Sequence, residues 1–321
     1  KLGMVYPLPY NLIRKFAGSV KRCIVAEELA PHIETLVRAA GIAVEGKNIF
    51  PRCGEFTASL IRKCVLGEGS AAKPAEVPAR PPVLCAGCPH RGVFYVLSKL
   101  KCNVLGDIGC YTLGAVPPLG SMDAVVCMGA SVGMAIGFDK ADPEAHKHSV
   151  AVIGDSTFIH SGITGLIDAV YNKARVTVII LDNRTTGMTG HQEHPATGKT
   201  IKKEPTHELD LAEVCRAVGV EDVVTIDPGD LAATEKAVRA ALANENVSVI
   251  IAKRPCVLLT KKLYSGFRVN DKCKKCKACL KLGCPAIVNG ENGVTIDVSL
   301  CTECGLCKGV CKFGAIEGEA K

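Results

Sequence analysis

The sequence predicts a doubly wound parallel α/β sheet, preceded by part of a small α/β domain and followed by a cysteine-rich α+β module. Three observations carry this. Between Val83 and about Lys262, short apolar runs alternate with helical stretches. Those runs are hydrophobic throughout, as strands covered on both faces should be. The last fifth of the chain carries eight cysteines in two similar sets.

In chain order, residues 1–67 contain one short βα unit. Arg22–Ala26 reads as a strand, and Pro31 opens a helix through Ala40, with Pro at the first turn where its missing N–H costs little. Residues 68–82, rich in Pro, Gly and Ala, read as a linker. In the domain 83–262, Val104–Ile108, Val150–Ile153, Val176–Leu181, Val223–Ile226 and Val247–Ile251 read as strands. Helices are expected near Ser131–Phe138, Gly162–Asn172, Leu211–Ala217 and Leu231–Ala243. This order argues a doubly wound sheet, in which ligands bind beyond the carboxyl ends of the strands. The places to look are therefore Gly154 onward, Asp182 onward and the loop after Ile108. Residues 263–321 form the cysteine module, whose two halves repeat; its apolar core is small, so bound clusters must supply much of its folding energy.

With 321 residues, 48% hydrophobic and 22% charged, the chain has room for two or three domains. No run of about 18 uncharged apolar residues suggests a membrane span, and no secretory signal is visible. Eighteen cysteines beside full-sized α/β cores favour metal binding in a reducing cytosol over disulfides, so a cytoplasmic location is expected. Lys1 stands in what reads as the middle of a domain, which suggests a fragment or processed chain. The formal charge of +7 overstates the basic character. Residues 266–321 carry nine Lys/Arg and six Asp/Glu, a net +3. Two four-thiolate clusters of about −2 each bring this to about −1. The run Lys274, Lys275, Lys277, Lys281 is either a solvated face or a docking patch for an acidic electron carrier. Basic and aromatic residues are not interleaved, which argues against nucleic acid.

Cys273-Lys-Lys-Cys276-Lys-Ala-Cys279 is followed by Cys284-Pro285, and Cys301-Thr-Glu-Cys304-Gly-Leu-Cys307 by Cys311. Each set approximates the bacterial ferredoxin run C-x₂-C-x₂-C-x₃-C-P, and implies two [4Fe–4S] clusters. The crossover of that pattern groups Cys273, Cys276 and Cys279 with Cys311, and Cys301, Cys304 and Cys307 with Cys284. Two departures stand out. Four residues separate Cys279 from Cys284, and Lys312 follows Cys311 where Pro is usual.

Gly154-Asp155-Ser156 follows one predicted strand, and Asp182-Asn183 follows the next about 27 residues later. The pair resembles the motif of the thiamine-diphosphate enzymes, Gly-Asp-Gly/Ser and then Asn; the competing reading is a pair of tight turns. Mg²⁺ takes hard oxygen ligands in an octahedron. Asp155 and Asn183 would be side-chain ligands, with Thr185 adding an oxygen, while Gly154 lets the backbone approach the diphosphate. Ser156, Gly109, Cys110 and Gly129 complete the cofactor-binding candidates, and the Ser161-Gly162 helix start could lie nearby. The segment Met188–Gln192 continues the motif. Relatives usually have Gly where His191 stands, and that His either reaches the substrate or fills space.

Cys85-Ala-Gly-Cys88 opens the middle domain with a spacing suited to zinc or an iron–sulfur cluster. Cys110 and Cys256 lie at predicted strand ends and could converge with it; free thiols are the remaining alternative. Here the chain resembles the 2-oxoacid:ferredoxin oxidoreductases, of the type acting on aryl 2-oxoacids such as indolepyruvate. The resemblance runs through Lys1–Pro9, Cys85–Gly92, Gly106–Cys110, Gly154–Gly162, Asp182–Gln192, Arg254–Cys256 and the cysteine module. It implies a third, proximal [4Fe–4S] cluster on Cys85, Cys88, Cys110 and Cys256. It also implies oxidative decarboxylation of a 2-oxoacid to an acyl-coenzyme A, with electrons leaving to an external ferredoxin. The implied cofactors are thiamine diphosphate, Mg²⁺ and the clusters. The implied partners are a small second (β) subunit, coenzyme A and ferredoxin, in an oligomer. The thiamine-activating Glu of the family has no counterpart in residues 1–67, so it is expected on a longer chain or another subunit. His90, Arg91 and His191 are catalytic candidates. Arg91 would pair with a carboxylate or phosphate, or lie on the surface; His160 would serve core or helix-entry packing. Cys23, Cys53, Cys64, Cys102, Cys127 and Cys215 read as buried small hydrophobes. Other readings are a different 2-oxoacid (2-oxoglutarate, pyruvate or a branched-chain acid), an electron-transfer module without catalysis, and a non-oxidative decarboxylase, which the clusters disfavour.

Overall fold

A computed structural model describes residues 1–69, 77–79, 81–260, 264–291 and 293–318. The linker expected over 68–82 lies partly outside the described residues, at 70–76 and 80. The chain divides into two compact units, Lys1–Arg80 and Pro81–Lys321. The expected middle and cysteine-rich domains thus share one unit. No helix among the described residues is long and apolar enough to cross a membrane.

The first unit holds helices α1 (Tyr10–Ala17), α2 (His32–Ala39) and α3 (Ala58–Leu66). Its core gathers Leu8, Ile13, Val37 and Ile42. The helix expected after Pro31 is α2. Its free N-terminal amides, at Ile33 and Glu34, donate to the Glu27 carboxylate at 2.8 and 2.9 Å, a cap supplied from outside the helix. The strand expected over Arg22–Ala26 is instead a single parallel bridge, Ile24 to Glu45. Only Glu45 exchanges backbone hydrogen bonds with this segment, through Cys23 O and Val25 N, so no ladder propagates.

The second unit is built on six parallel strands: β1 (Asn103–Gly106), β2 (Ala124–Val125), β3 (Ser149–Gly154), β4 (Thr177–Asp182), β5 (Asp222–Ile226) and β6 (Ser248–Lys253). Their spatial order is β2-β1-β3-β4-β6-β5. Five helices cover the sheet: α4 (His90–Leu100), α5 (Ala130–Ala141), α7 (Ile163–Tyr171), α8 (Leu211–Ala217) and α9 (Leu231–Leu242). A short turn of helix, α6 (Asp155–Thr157), and a π-helical segment, Phe158–Gly162, lead into α7. Val150, Val152, Ile179, Leu181 and Ile250 pack against α4 and α9, through Val93, Phe94, Leu97 and Val238. Their alternating neighbours Ala151, Ile153, Val178, Ile180, Val249 and Ile251 pack on the opposite face, against Val132, Leu166 and Leu211. Both faces being buried explains the unbroken hydrophobic runs. Each such Val, Ile or Leu contributes roughly 1.5–3 kcal/mol.

The cysteine module adds two antiparallel pairs. β7 (Arg268–Val269) pairs with β10 (Ile316–Glu317), and β8 (Ile287–Gly290) with β9 (Gly293–Ile296). A 3₁₀ turn, Ala278–Leu282, and helix α10 (Leu306–Val310) complete it. Its small core, including Phe267, Leu282, Leu306 and Ile316, also meets Tyr95 of α4 and Leu231 of α9.

Candidate functional site

The order β2-β1-β3 places a reversal of direction between β1 and β3. The loops leaving their carboxyl ends part there and open a crevice, the usual ligand position in such sheets. A cleft of about 100 Å³ lies at this point. It is lined by Gly109 and Cys110 after β1, Gly154, Asp155 and Ser156 after β3, and Asn183 and Thr185 after β4, with His90 of α4.

Buried groups fix this crevice. Asp107 at the end of β1 is fully buried. Its Oδ1 accepts from Ile108 N at 2.7 Å, and its Oδ2 from Gly129 N at 2.8 Å. Gly129, at φ 88°, turns the chain into α5. A Cβ there would come within 2.5 Å of Ser161 Oγ, so the turn requires glycine both conformationally and sterically. Tyr111 donates to Ile108 O at 3.0 Å. Its ring fills the space beside Gly109 and Gly154, where a Cβ would come within 2.3 and 2.7 Å of it. The Asp155 carboxylate accepts from Ser156 N at 2.8 Å and Arg184 N at 2.9 Å. Asn183 Nδ2 donates to His90 Nε2 at 3.3 Å, and its Oδ1 accepts from Thr185 N at 3.2 Å. Burial lowers the His90 imidazole to about 4 against the opposing pull of Asp155, so it is neutral at pH 7. Burial, reinforced by the adjacent Asp155 and opposed by Arg184, raises the Asp182 carboxyl to about 6.

His194 is also buried, with Nε2 3.2 Å from Asp155 Oδ2. Neither ring nitrogen has a hydrogen-bond partner. Two neighbouring buried carboxylates and an orphaned imidazole suit a hard cation with phosphate oxygens, in the oxygen-rich setting magnesium prefers. Asp107, Tyr111 and His194 were not singled out in the sequence. Asp107 ends its strand as Asp155 does, which was a usable signal. Tyr111 and His194 carried none.

The cysteines fall into three groups. Burial, opposed by the His90 amide and Arg91 and aided by Cys85 and Cys256, raises the Cys88 thiol to about 12. Cys110 is raised by burial, then by Cys256 and Cys85. Cys256 N donates to Asn183 O at 2.9 Å, tying this group to the crevice. Cys273, Cys276, Cys279 and Cys311 line one small pocket. Burial takes Cys307 to about 12, with Cys304, Cys301 and Cys284 adding to it. Backbone N–H groups of His90, Leu258 and Leu306 oppose burial at Cys88, Cys256 and Cys304. Phe267 N and Ala315 N donate to the sulfurs of Cys301 and Cys311 at 3.3 and 3.4 Å. Amides aimed at sulfur favour thiolate and tune clusters. Among the described residues, no three Cys, His, Asp or Glu side chains surround one metal ion. A tetrahedral zinc needs four ligands about 2.0–2.3 Å from one point; a four-iron cube takes its thiolates at separate corners, so its ligands stand around a chamber.

Residues 107–252 match the thiamine pyrophosphate enzyme C-terminal TPP-binding domain, and residues 294–317 a 4Fe-4S binding domain. Across 347 aligned positions, covering all of this chain and 56% of the relative, it is 39% identical to indolepyruvate oxidoreductase subunit IorA of Methanothermobacter thermautotrophicus. The IorA subunit of Archaeoglobus fulgidus is also 39% identical, over 99% of this chain and 55% of its own length. The similarity to these subunits runs along the whole of this chain. It spans a little over half of their length. The 2-oxoglutarate synthase subunit KorB of A. fulgidus is 27% identical over 60% of this chain and 79% of its own.

Several expectations for individual residues need correction. Arg91 is 2% exposed, not on the surface, and pairs with no carboxylate of the described residues. It donates to Leu282 O and Leu84 O at 2.6 Å and Cys85 O at 3.0 Å, because its helix is packed beneath the cysteine module. His160 is exposed in the π-helical segment, so it packs in no core. His191 has φ 62°, in the region where glycine carries no side-chain penalty; its Nε2 is buried without a partner. Cys102 and Cys215 are buried, but Cys53 and Cys127 are exposed and Cys23 and Cys64 half-buried, since they stand on loops or small elements outside the main core.

Proposed function

We propose that this chain holds the diphosphate end of thiamine and an iron–sulfur relay for a 2-oxoacid:ferredoxin oxidoreductase acting on aryl 2-oxoacids. The observation that carries it is one cleft lined by Asp155, Asn183 and Thr185 and also by Cys110. Bound thiamine diphosphate supplies the electron sink for decarboxylation, and iron–sulfur clusters take electrons one at a time. Asp155, Asn183 and Thr185 offer the oxygen donors for Mg²⁺, and Gly109, Gly129 and Gly154 keep backbone close to the diphosphate. His90, neutral and buried, orders Asn183 and offers its ring to the bound substrate.

Cys85, Cys88, Cys110 and Cys256 would hold the first cluster. Arg254 Nη2 donates to Cys304 O at 3.2 Å, and Gly87 lies against Thr302. The group Cys284, Cys301, Cys304 and Cys307 is therefore next in line. The group Cys273, Cys276, Cys279 and Cys311 borders the exposed Lys274, Lys275, Lys277 and Lys281, a fitting exit for an acidic ferredoxin. A second subunit, coenzyme A and ferredoxin complete the reaction. The aryl preference is supported by the indolepyruvate relatives, and 2-oxoglutarate is the competing substrate because of the KorB relative. Rates of methyl viologen reduction by the assembled enzyme on arylpyruvates and on 2-oxoglutarate test this. Faster turnover on arylpyruvates is expected; preference for 2-oxoglutarate would overturn it.

A further inference from the structure

Arg91 is among the largest fully buried side chains of the molecule. A buried guanidinium normally has a carboxylate partner, because an uncompensated interior charge costs several kcal/mol. Among the described residues, none forms an ion pair with Arg91. Its Nη atoms donate only to the neutral carbonyls of Leu84, Cys85 and Leu282, and its Nε has no partner at all. The described polypeptide therefore supplies no counter-charge for this residue.

The three carbonyls say where that counter-charge belongs. Leu84 and Cys85 begin the first cysteine group. Leu282 lies two residues before Cys284, a member of the second, and 191 positions from Arg91 in sequence. Arg91 N also donates to Cys88 O at 3.3 Å. The cation thus sits against backbone of two cysteine groups at once. Gly283, at φ 64°, lets the second loop approach; a Cβ there would lie 3.3 Å from Arg91 Nη1 and 2.7 Å from Pro118. The partly exposed Arg254, by contrast, has Asp227 at 3.6 Å.

On the cluster reading given above, we propose that Arg91 is a positioning and charge-compensating residue for the first two clusters. Its fork clamps the Leu84–Cys88 and Leu282–Cys284 segments together, and its charge is balanced by the two anionic cubes, each about −2 when oxidised. A positive charge at this place favours the reduced, more negative clusters and so raises their potentials. The cluster beside the lysine patch, whose chamber Arg91 does not line, is unaffected.

The test is an EPR-monitored redox titration of the anaerobically loaded full chain as wild type, Arg91→Met and Arg91→Lys. At the wild-type midpoint, Arg91→Met should show at least a tenfold lower ratio of reduced to oxidised first and second clusters, equivalent to 59 mV for a one-electron couple. The third should not move, and Arg91→Lys should stay nearer the wild type. If Arg91→Met fails to load but Arg91→Lys loads, the charge requirement is supported. Both variants loading with unchanged potentials, or neither loading, would overturn the proposal. A wild type lacking iron at the first group would instead sink the underlying cluster reading.

Discussion

Asp155 takes part in four relationships at the crevice. It accepts two backbone amides, stands beside Asp182, and faces His194. The His194 ring makes no hydrogen bond among the described residues, so its position serves Asp155 and whatever Asp155 binds. Replacing an outer partner of a metal ligand typically costs 10–100-fold in affinity. His194→Ala should therefore weaken Mg²⁺-dependent thiamine diphosphate binding by about 10–100-fold, read by titration calorimetry. Unchanged affinity would make His194 a packing residue. Asp155→Ala should cost more, because on the proposed reading it removes a direct Mg²⁺ ligand. Asp155 and Asn183 were legible from their positions at consecutive strand ends. Arg91 was misread because sequence spacing does not reveal that a second segment, 191 positions away, packs over it.

Helix α8 starts at Asp210, whose Oδ1 accepts from Ala212 N at 2.7 Å and Glu213 N at 2.9 Å. These amides, that of Glu213 foremost, hold its carboxyl below the ordinary value. With the folded value depressed, the cap's contribution is complete above the unfolded carboxylate range and is lost as pH falls through the folded value. Asp210→Ala should cost about 1 kcal/mol at pH 7, and the gap from wild type should close as pH drops below about 4. Parallel denaturation curves at several pH values check this; a pH-independent gap would contradict the capping account. Most strands and helices were legible because each long apolar run faces helices on both sides. Besides α1 and α3 of the first unit and the short elements of the cysteine module, β2 and α4 escaped. β2 has only two residues, Ala124 and Val125, too few for any period. α4 follows Pro89 and buries Val93, Phe94, Val96 and Leu97, a spacing that fits a helix and could have been read.

At the scale of the molecule, the strand order sets the crevice, and the cysteine module is fastened to the same side through Arg91 and Arg254. The lysines at 274, 275, 277 and 281 remain exposed at the far group. Neutralising them should raise KM for an acidic ferredoxin and leave small-dye reduction intact, since long-range steering acts on a charged protein partner. Equal effects on both acceptors would refute that docking role. The relay itself depends on the first cysteine group, Cys85, Cys88, Cys110 and Cys256. Anaerobic iron and sulfide analysis of the wild-type chain beside Cys256→Ser tests it most directly. The account predicts about twelve irons per wild-type chain, four for each Cys₄ group, and about eight in the variant; about eight in both would contradict it.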